Sequence, residues 1–395
     1  VSLWAHEDDA QLLAELPRDF AAQPFQLVGT VAAGHPEVGV YSIWHSGVGV
    51  PASLVQWQKR GERLALVEPN LSFRSSGDGE SRRALERVYP GRVLLSTKIL
   101  ADGPGGGPVI DLDEVLLGNA RDVFGGFAAG MDRSLARLTT HKVFPHNVEL
   151  GFELPRGNGR LVELRFSLGA PPRHPGFEPR EADRRVGIYY TEHTDRARHD
   201  GGSQVVRYAN RWHIEKADPS LALSPPKRPI VYHIEHTTPI RYRRWVRDGI
   251  LAWNRAFEGI GIVDAIEVRQ QDATTGAYMD IDPEDIRHSF VRWTNSEMGF
   301  AIGPVHYHPD TGEIYEADIV MDEGFMSSYA NTKLQTELAQ AAMTAVHPQD
   351  AGWLADNPSW DPRLALATPS ERPAVAARTR ALADGVDVSP EALSA

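Results

Sequence analysis

The 395-residue chain has no cysteine. Disulfides, thiolate metal sites and cysteine nucleophiles are therefore excluded. No apolar run approaches the roughly 18 residues of a membrane-spanning helix, so no membrane-spanning segment is expected. Positive charge is in deficit: 41 Lys and Arg stand against 53 Asp and Glu, a net charge of −12. Binding to nucleic-acid phosphates draws on cationic side chains, so a nucleic-acid partner is not expected. The glycine cluster at 103–107 has no Lys-Ser/Thr after it, and reads as a surface loop rather than a phosphate cradle. Residue 1 is Val, with no basic and apolar leader behind it, and Ser389-Pro390-Glu391 reads as the start of a helix. Both ends give the expectation of a piece of a longer polypeptide.

What is present is globular: 42% apolar and 24% charged residues. At roughly 150 residues per domain, two or three domains are expected. The 35 glycines and 28 prolines favour many turns, hence strands. Leu54–Gln58 and Arg63–Val67 flank a hairpin turn at Gly61. Val148–Leu154 and Leu161–Phe166 flank an Asn158-Gly159 turn. Residues 78–89 suggest a short helix. The Pro-rich run 223–229 suggests a joint between domains. After it, Ile230–Ile234 reads as a strand and Thr238-Pro239 as a helix start. Tyr242, Val246, Ile250, Trp253 and Phe257 form an apolar stripe, stopped at Gly259 and Gly261. Ala265–Val268 follows as a strand, which completes a βαβ unit. Phe290–Trp293 and Ala317–Met321 are further strands, with a turn at Pro309–Gly312 between them. Asn331–Ala345 and Ala374–Ala383 carry helical patterns. The expected architecture is α+β: a β-rich domain over 1–222, the joint at 223–229, an α/β domain over 230–346 and a loosely organised tail over 347–395.

Several segments are similar to one family. They are Arg207–Ser220, Gly249–Phe257, Asp282–Arg287, Asp310–Ile319, Lys142–Glu149 and Asp183–Gly187. Together they resemble bacterial zinc-dependent metallopeptidases of the Met-zincin group, in which a β-rich domain of unknown function precedes a metzincin-like catalytic domain. The resemblance runs from residue 1 to about 325. It implies a secreted or periplasmic location, a peptide or protein substrate, and zinc-activated water as nucleophile. That chemistry needs two His at i and i+4 on one helix face, as HExxHxxGxxH. No two of the fifteen His here are four apart. No zinc ligands and no catalytic residues are therefore expected in this chain. The resemblance implies the zinc helix downstream, and leaves this chain the scaffold and cleft rim. Within it, Phe300, Ala301, Ile302, Gly303 and Pro304 resemble the edge strand to which a substrate peptide adds. The other expectation is a non-catalytic peptide-binding or assembly module; a carbohydrate-binding β domain is a third.

Four further clusters stand out. His306 and His308, with Asp310 or Glu313 nearby, form half a metal site or solvated loop residues. His233, Glu235 and His236 read as structural hydrogen-bonding groups. Asp282–Asp285 and Asp318 with Asp322-Glu323 offer oxygens for calcium, or cap helices. Arg241, Arg243, Arg244 and Arg247 beside Tyr242 and Trp245 read as the solvated face of a helix.

Overall fold

In the computed structural model the described residues are 1–5, 11–22, 24–34, 40–41, 53–170, 172–183, 185–199, 203–296, 300–329, 331–332, 348–361, 363–364 and 367–386. The chain is a mixed α+β protein. It divides into two compact units, Val1–Asp322 and Glu323–Ala395.

The larger unit is built first on seven antiparallel strands: β1 (Phe25–Ala33), β2 (Ser53–Arg60), β3 (Arg63–Glu68), β4 (Arg92–Lys98), β5 (Arg137–Val143), β6 (Asn147–Pro155) and β7 (Leu161–Gly169). Their order in the sheet is β5-β6-β7-β1-β2-β3-β4. Both hairpins expected from alternation are present, β2–β3 and β6–β7. Their apolar residues share one face because side chains alternate along a strand. Leu150, Phe152, Leu154, Leu164 and Phe166 are buried there. The first helix, α1 (Gly79–Val88), is capped by the Asp78 carboxylate, which accepts from Ser81 N at 2.8 Å. Two more, α2 (Leu112–Gly118) and α3 (Ala120–Phe124), cover the sheet. Phe124 meets Phe166 edge-on at 5.3 Å. This contact requires Gly29 on β1: a Cβ there would lie 2.3 Å from Val123 Cγ1 and 2.9 Å from Phe124 Cζ.

Beyond this sheet come β8 (Arg211–Trp212), β9 (Ile230–Ile234), α4 (Ile240–Leu251), α5 (Asn254–Glu258), β10 (Ile266–Gln270), β11 (Ser289–Thr294), β12 (Val305–Tyr307), β13 (Glu313–Ala317) and β14 (Ile319–Asp322). Four of them make a parallel sheet in the order β10-β9-β11-β14, and three make a small sheet in the order β8-β13-β12. The βαβ unit is β9, α4 with α5, and β10. Ile250 and Phe257 pack on Ile230, Ile262, Ala265 and Ile266. Trp253 departs from the expected stripe and is 65% exposed. The helix ends at Leu251, and the turn through Ala252 and Trp253 shifts the phase before α5 begins. The strand expected over 317–321 is divided at Asp318. Its carboxylate turns inward to accept from Phe290 N at 2.7 Å, and the chain passes from one sheet to the other.

The Pro-rich run does not separate two compact units. Lys227 N bonds Glu215 O and Ala217 N bonds Pro225 O, both at 2.8 Å, so 223–229 is laced to the segment before it. Sequence-distant groups also cross the expected boundary. Gln26 Nε2 donates to Tyr307 O at 3.1 Å. Lys142 Nζ lies 2.8 Å from both Asp282 and Glu284. Asn147 Nδ2 donates to Glu284 O at 2.8 Å. The division between compact units falls after Asp322 instead.

The described part of the tail is more ordered than its composition suggests. In the second unit α6 (Pro348–Asp356) and α7 (Arg372–Ala383) pack together, and Ala351 and Val375 are buried. A buried Arg363–Asp361 pair at 2.6 Å, with Thr379 bonded to both, supplies the polar part of that core. The Asn331–Ala345 helix and the helix start at Ser389 fall, apart from residues 331–332, outside the described residues.

Candidate functional site

The expected substrate segment continues β12 backwards along β14. Turn residues Pro309–Gly312 set up a hairpin whose arms run antiparallel: Val305 faces Ala317 and His306 faces Glu316. Further along, Asp318 N donates to Pro304 O at 2.9 Å. Ile302 and Val320 exchange both backbone bonds, at 3.1 and 2.7 Å. Backbone groups alternate sides along a strand. With both groups of Ile302 directed at β14, those of Ala301 and Gly303 point away from the sheet. Neither has a backbone partner among the described residues. Gly303 and Phe300 are exposed. The open stretch has a limit at Tyr307, where the outer carbonyl is already taken by Gln26.

Beside this edge lies a polar cavity of about 70 Å³, lined among others by Tyr41, Glu149, Arg165, Glu284, Arg292, Pro304, His306, Glu316 and Asp318. Burial pushes the Glu149 carboxyl up to about 7, although Ser167 and Asn147 donate to it. Burial, and next the Glu316 charge, push Asp318 well above the usual carboxylate range. Burial opposes a charge on His306, but its hydrogen-bonded neighbour Glu316 holds it above its ordinary value. Arg165 is paired with Glu284 and Glu163. The Arg292 guanidinium lies over the Tyr41 ring at 3.6 Å, and its Nε is buried without a partner. Glu149, Asp318 and His306 thus have raised proton affinity in a cavity that Pro304 also lines.

His306 and His308 are not brought to one point. His306 pairs with Glu316, while His308 Nε2 faces Pro172 O at 3.1 Å. The Tyr315 ring stands against both. Glu313, expected near them, meets two other histidines. Its Oε1 lies 2.6 Å from His174 Nδ1 and 3.9 Å from His213 Nδ1. One donor atom from each of the three lies within 4.8 Å of the others. Sequence reading missed this set, because the three residues lie 39 and 100 positions apart (174 to 213, 213 to 313) with no ligand spacing between them.

The remaining clusters take plain roles, one with a correction. His233 is not a hydrogen-bonding group: neither ring nitrogen makes a well-formed bond. It is packed against Phe290 at 5.1 Å and His288 at 5.4 Å. Burial and the nearby His288 charge lower it to about 4. Glu235 accepts from Thr237 at 2.8 Å, and His236 N bonds Gln271. Asp282, Glu284 and Asp285 are matched by Lys142, Arg165 and Arg287 rather than arranged around an ion. Asp322 accepts from Thr294 and Ser296. On α4, Arg241 and Arg244 lie over Tyr242 and Trp245, and Trp245 is 66% exposed.

The two histidines four residues apart that the catalytic zinc of the resembled family needs do not occur in the 395-residue sequence. His174 lies beside a turn, His213 just past the end of β8 and Glu313 on β13, so the three do not share one helix face. Residues 47–217 match a family model described as a domain of unknown function (DUF5117), which covers less than half of the chain. No curated protein and no solved structure matches.

Proposed function

We propose that Phe300–Pro304 receive an extended peptide as an added strand, and that the chain is scaffold and cleft rim of a zinc-dependent peptidase. One observation carries the docking part. Ile302 spends both backbone groups on Val320, which leaves Ala301 and Gly303 directed outward. Main-chain bonds at such an edge supply affinity, and flanking side chains supply selectivity. Gly303 has no Cβ to hold a peptide backbone away. The peptidase part rests on the resemblance. In it the zinc helix comes from sequence beyond these 395 residues, and the setting is outside the cytoplasm.

Fluorescence anisotropy with an extended, alternating apolar peptide tests the docking. Ala301→Pro removes an outward N–H and keeps the Ile302–Val320 bridge. Binding is expected to weaken at least about tenfold, the order of one lost hydrogen bond, with an unchanged Tm. Backbone N-methylation of the peptide at alternate positions is expected to do the same. Equal binding by both would sink the edge reading. A second reading, a non-catalytic peptide-binding module, uses the same edge and is favoured by the absence of paired imidazoles one helical turn apart. Reading the coding sequence past Ala395 separates the two: an HExxHxxGxxH helix supports the peptidase, a stop codon the module.

A further inference from the structure

The molecule also holds a group of side chains that neither the edge nor the cavity beside it uses. We propose that His174, His213 and Glu313 bind one divalent cation of the zinc class, as a clamp between the β7–β8 connection, the end of β8 and β13.

The backbone explains why they meet. In the parallel ladder of β8 and β13, Arg211 is opposite Glu313. Residues two apart on a strand share a face, so His213 stands on the same side as Glu313, one step past the ladder. The turn at Arg173–Phe177 brings in the third residue. Phe177 N bonds His174 O at 3.2 Å, and Gly176 supplies φ +90°. Arg211 lies over the Phe177 ring at 4.4 Å and donates to Glu178 O at 2.6 Å, which fixes that turn above His213.

The second observation is the state of His213. Its side chain is 7% exposed, and both ring nitrogens are buried without a hydrogen-bond partner. A buried polar atom in that state is destabilising. A cation accepting the Nδ1 lone pair removes the deficit. The opposite nitrogen, Nε2, then faces Glu215 Oε1, at 3.7 Å, and Glu215 is itself held by Lys227 at 3.0 Å. A carboxylate behind a ligating imidazole fixes its tautomer and raises its basicity.

The donor set selects the metal. Two imidazole nitrogens and one carboxylate oxygen suit zinc and its neighbours, while calcium and magnesium take oxygen shells. Zinc holds such donors at about 2.0–2.2 Å in a tetrahedron, so they stand about 3.4 Å apart. The separations of 2.6 and 3.9 Å from Glu313 Oε1 straddle that value. The side chains of Glu313 and His213 are buried, and that of His174, at 25% exposed, faces the solvent side. Three protein donors leave the fourth corner of the tetrahedron to a water, on the side that His174 faces.

The test uses the full chain after chelator treatment, titrated with Zn²⁺ by calorimetry and with Co²⁺ by visible absorption. One equivalent is expected to bind with Kd of about 10 µM or tighter, to raise Tm by several degrees and to give tetrahedral Co²⁺ bands. Mg²⁺ and Ca²⁺ are expected not to compete. His174→Ala and Glu313→Gln should each weaken binding at least about tenfold, while His141→Ala, at an exposed imidazole elsewhere, should leave it unchanged. X-ray absorption on the Zn²⁺-loaded wild type reads the donors without any variant: two imidazoles with oxygen are expected. No saturable uptake, uptake untouched by His174→Ala, or an all-oxygen or three-imidazole shell overturns the proposal. None of these outcomes bears on peptide docking at Phe300–Pro304.

Discussion

Glu149 is a carboxyl on a strand whose neighbours carry the core. Its side chain faces the polar cavity, and burial raises it from 4.5 to about 7. A raised acid keeps its proton in the fold after the unfolded chain has lost it. The stability it contributes is therefore full below about 4.5 and is lost as pH rises through about 7. Asp318, raised by burial and Glu316, has the same sign. So does His306, which burial would lower but Glu316 raises. Urea unfolding is expected to show a loss of order 1–2 kcal/mol between about pH 5 and about pH 7.5 from Glu149 alone. Glu149→Gln places a neutral amide where the protonated acid sits, and should flatten that slope. An unchanged slope would mean that the cavity admits water freely and the carboxyl ionises in place. None of this was legible in the sequence. Period-two alternation marks Glu149 as a strand residue, but the groups that line its cavity come from positions as far apart as Val28 and Asp318.

Elements were legible where their signal is local. Alternation around a glycine turn gave both hairpins, and helical spacing between two short apolar runs gave the βαβ unit. What failed was decided by contacts across the chain. Asp318 breaks a strand because Phe290 N needs an acceptor, and Trp253 is turned outward by a helix end. The β8-β13-β12 sheet escaped because two of its strands are only two or three residues long. Close approach of α3 to β1 makes a clear forecast. Gly29→Ala places a methyl 2.3 Å from Val123 Cγ1 and should cost about 1–3 kcal/mol in urea unfolding. At the open edge, Ile302→Pro deletes the N–H that reaches Val320 O. Hydrogen exchange at Val320 N should then accelerate, because the bridge that protects it is gone. Unchanged protection would show that the edge is held by side chains instead.

For the whole molecule, composition announced strands, acidity and the absence of a spanning helix, and the fold agrees with the first: most of the larger unit is sheet. Among the described residues no helix is long and apolar enough to cross a membrane. Domain limits were the poorest inference, since prolines mark a stiff chain and not a lack of contacts. The polypeptide 1–322 is expected to unfold in one cooperative urea transition. A chain cut after residue 222 should not, since it lacks the partners of Gln26, Lys142 and Asn147. Circular dichroism on both pieces checks this, and a sharp transition in the shorter one would contradict it.

Gln26 sits 2% exposed, its amide donating to Tyr307 O and its oxygen accepting from the Tyr315 hydroxyl. Those partners leave the ribosome about 280–290 residues later, ~15–60 s at ordinary synthesis rates. Through that wait an amide meant for a dry interior has only water to satisfy it. The nascent seven-stranded sheet must therefore stay wet on that side, with the contacts of its far end unsealed, until the final hairpin arrives.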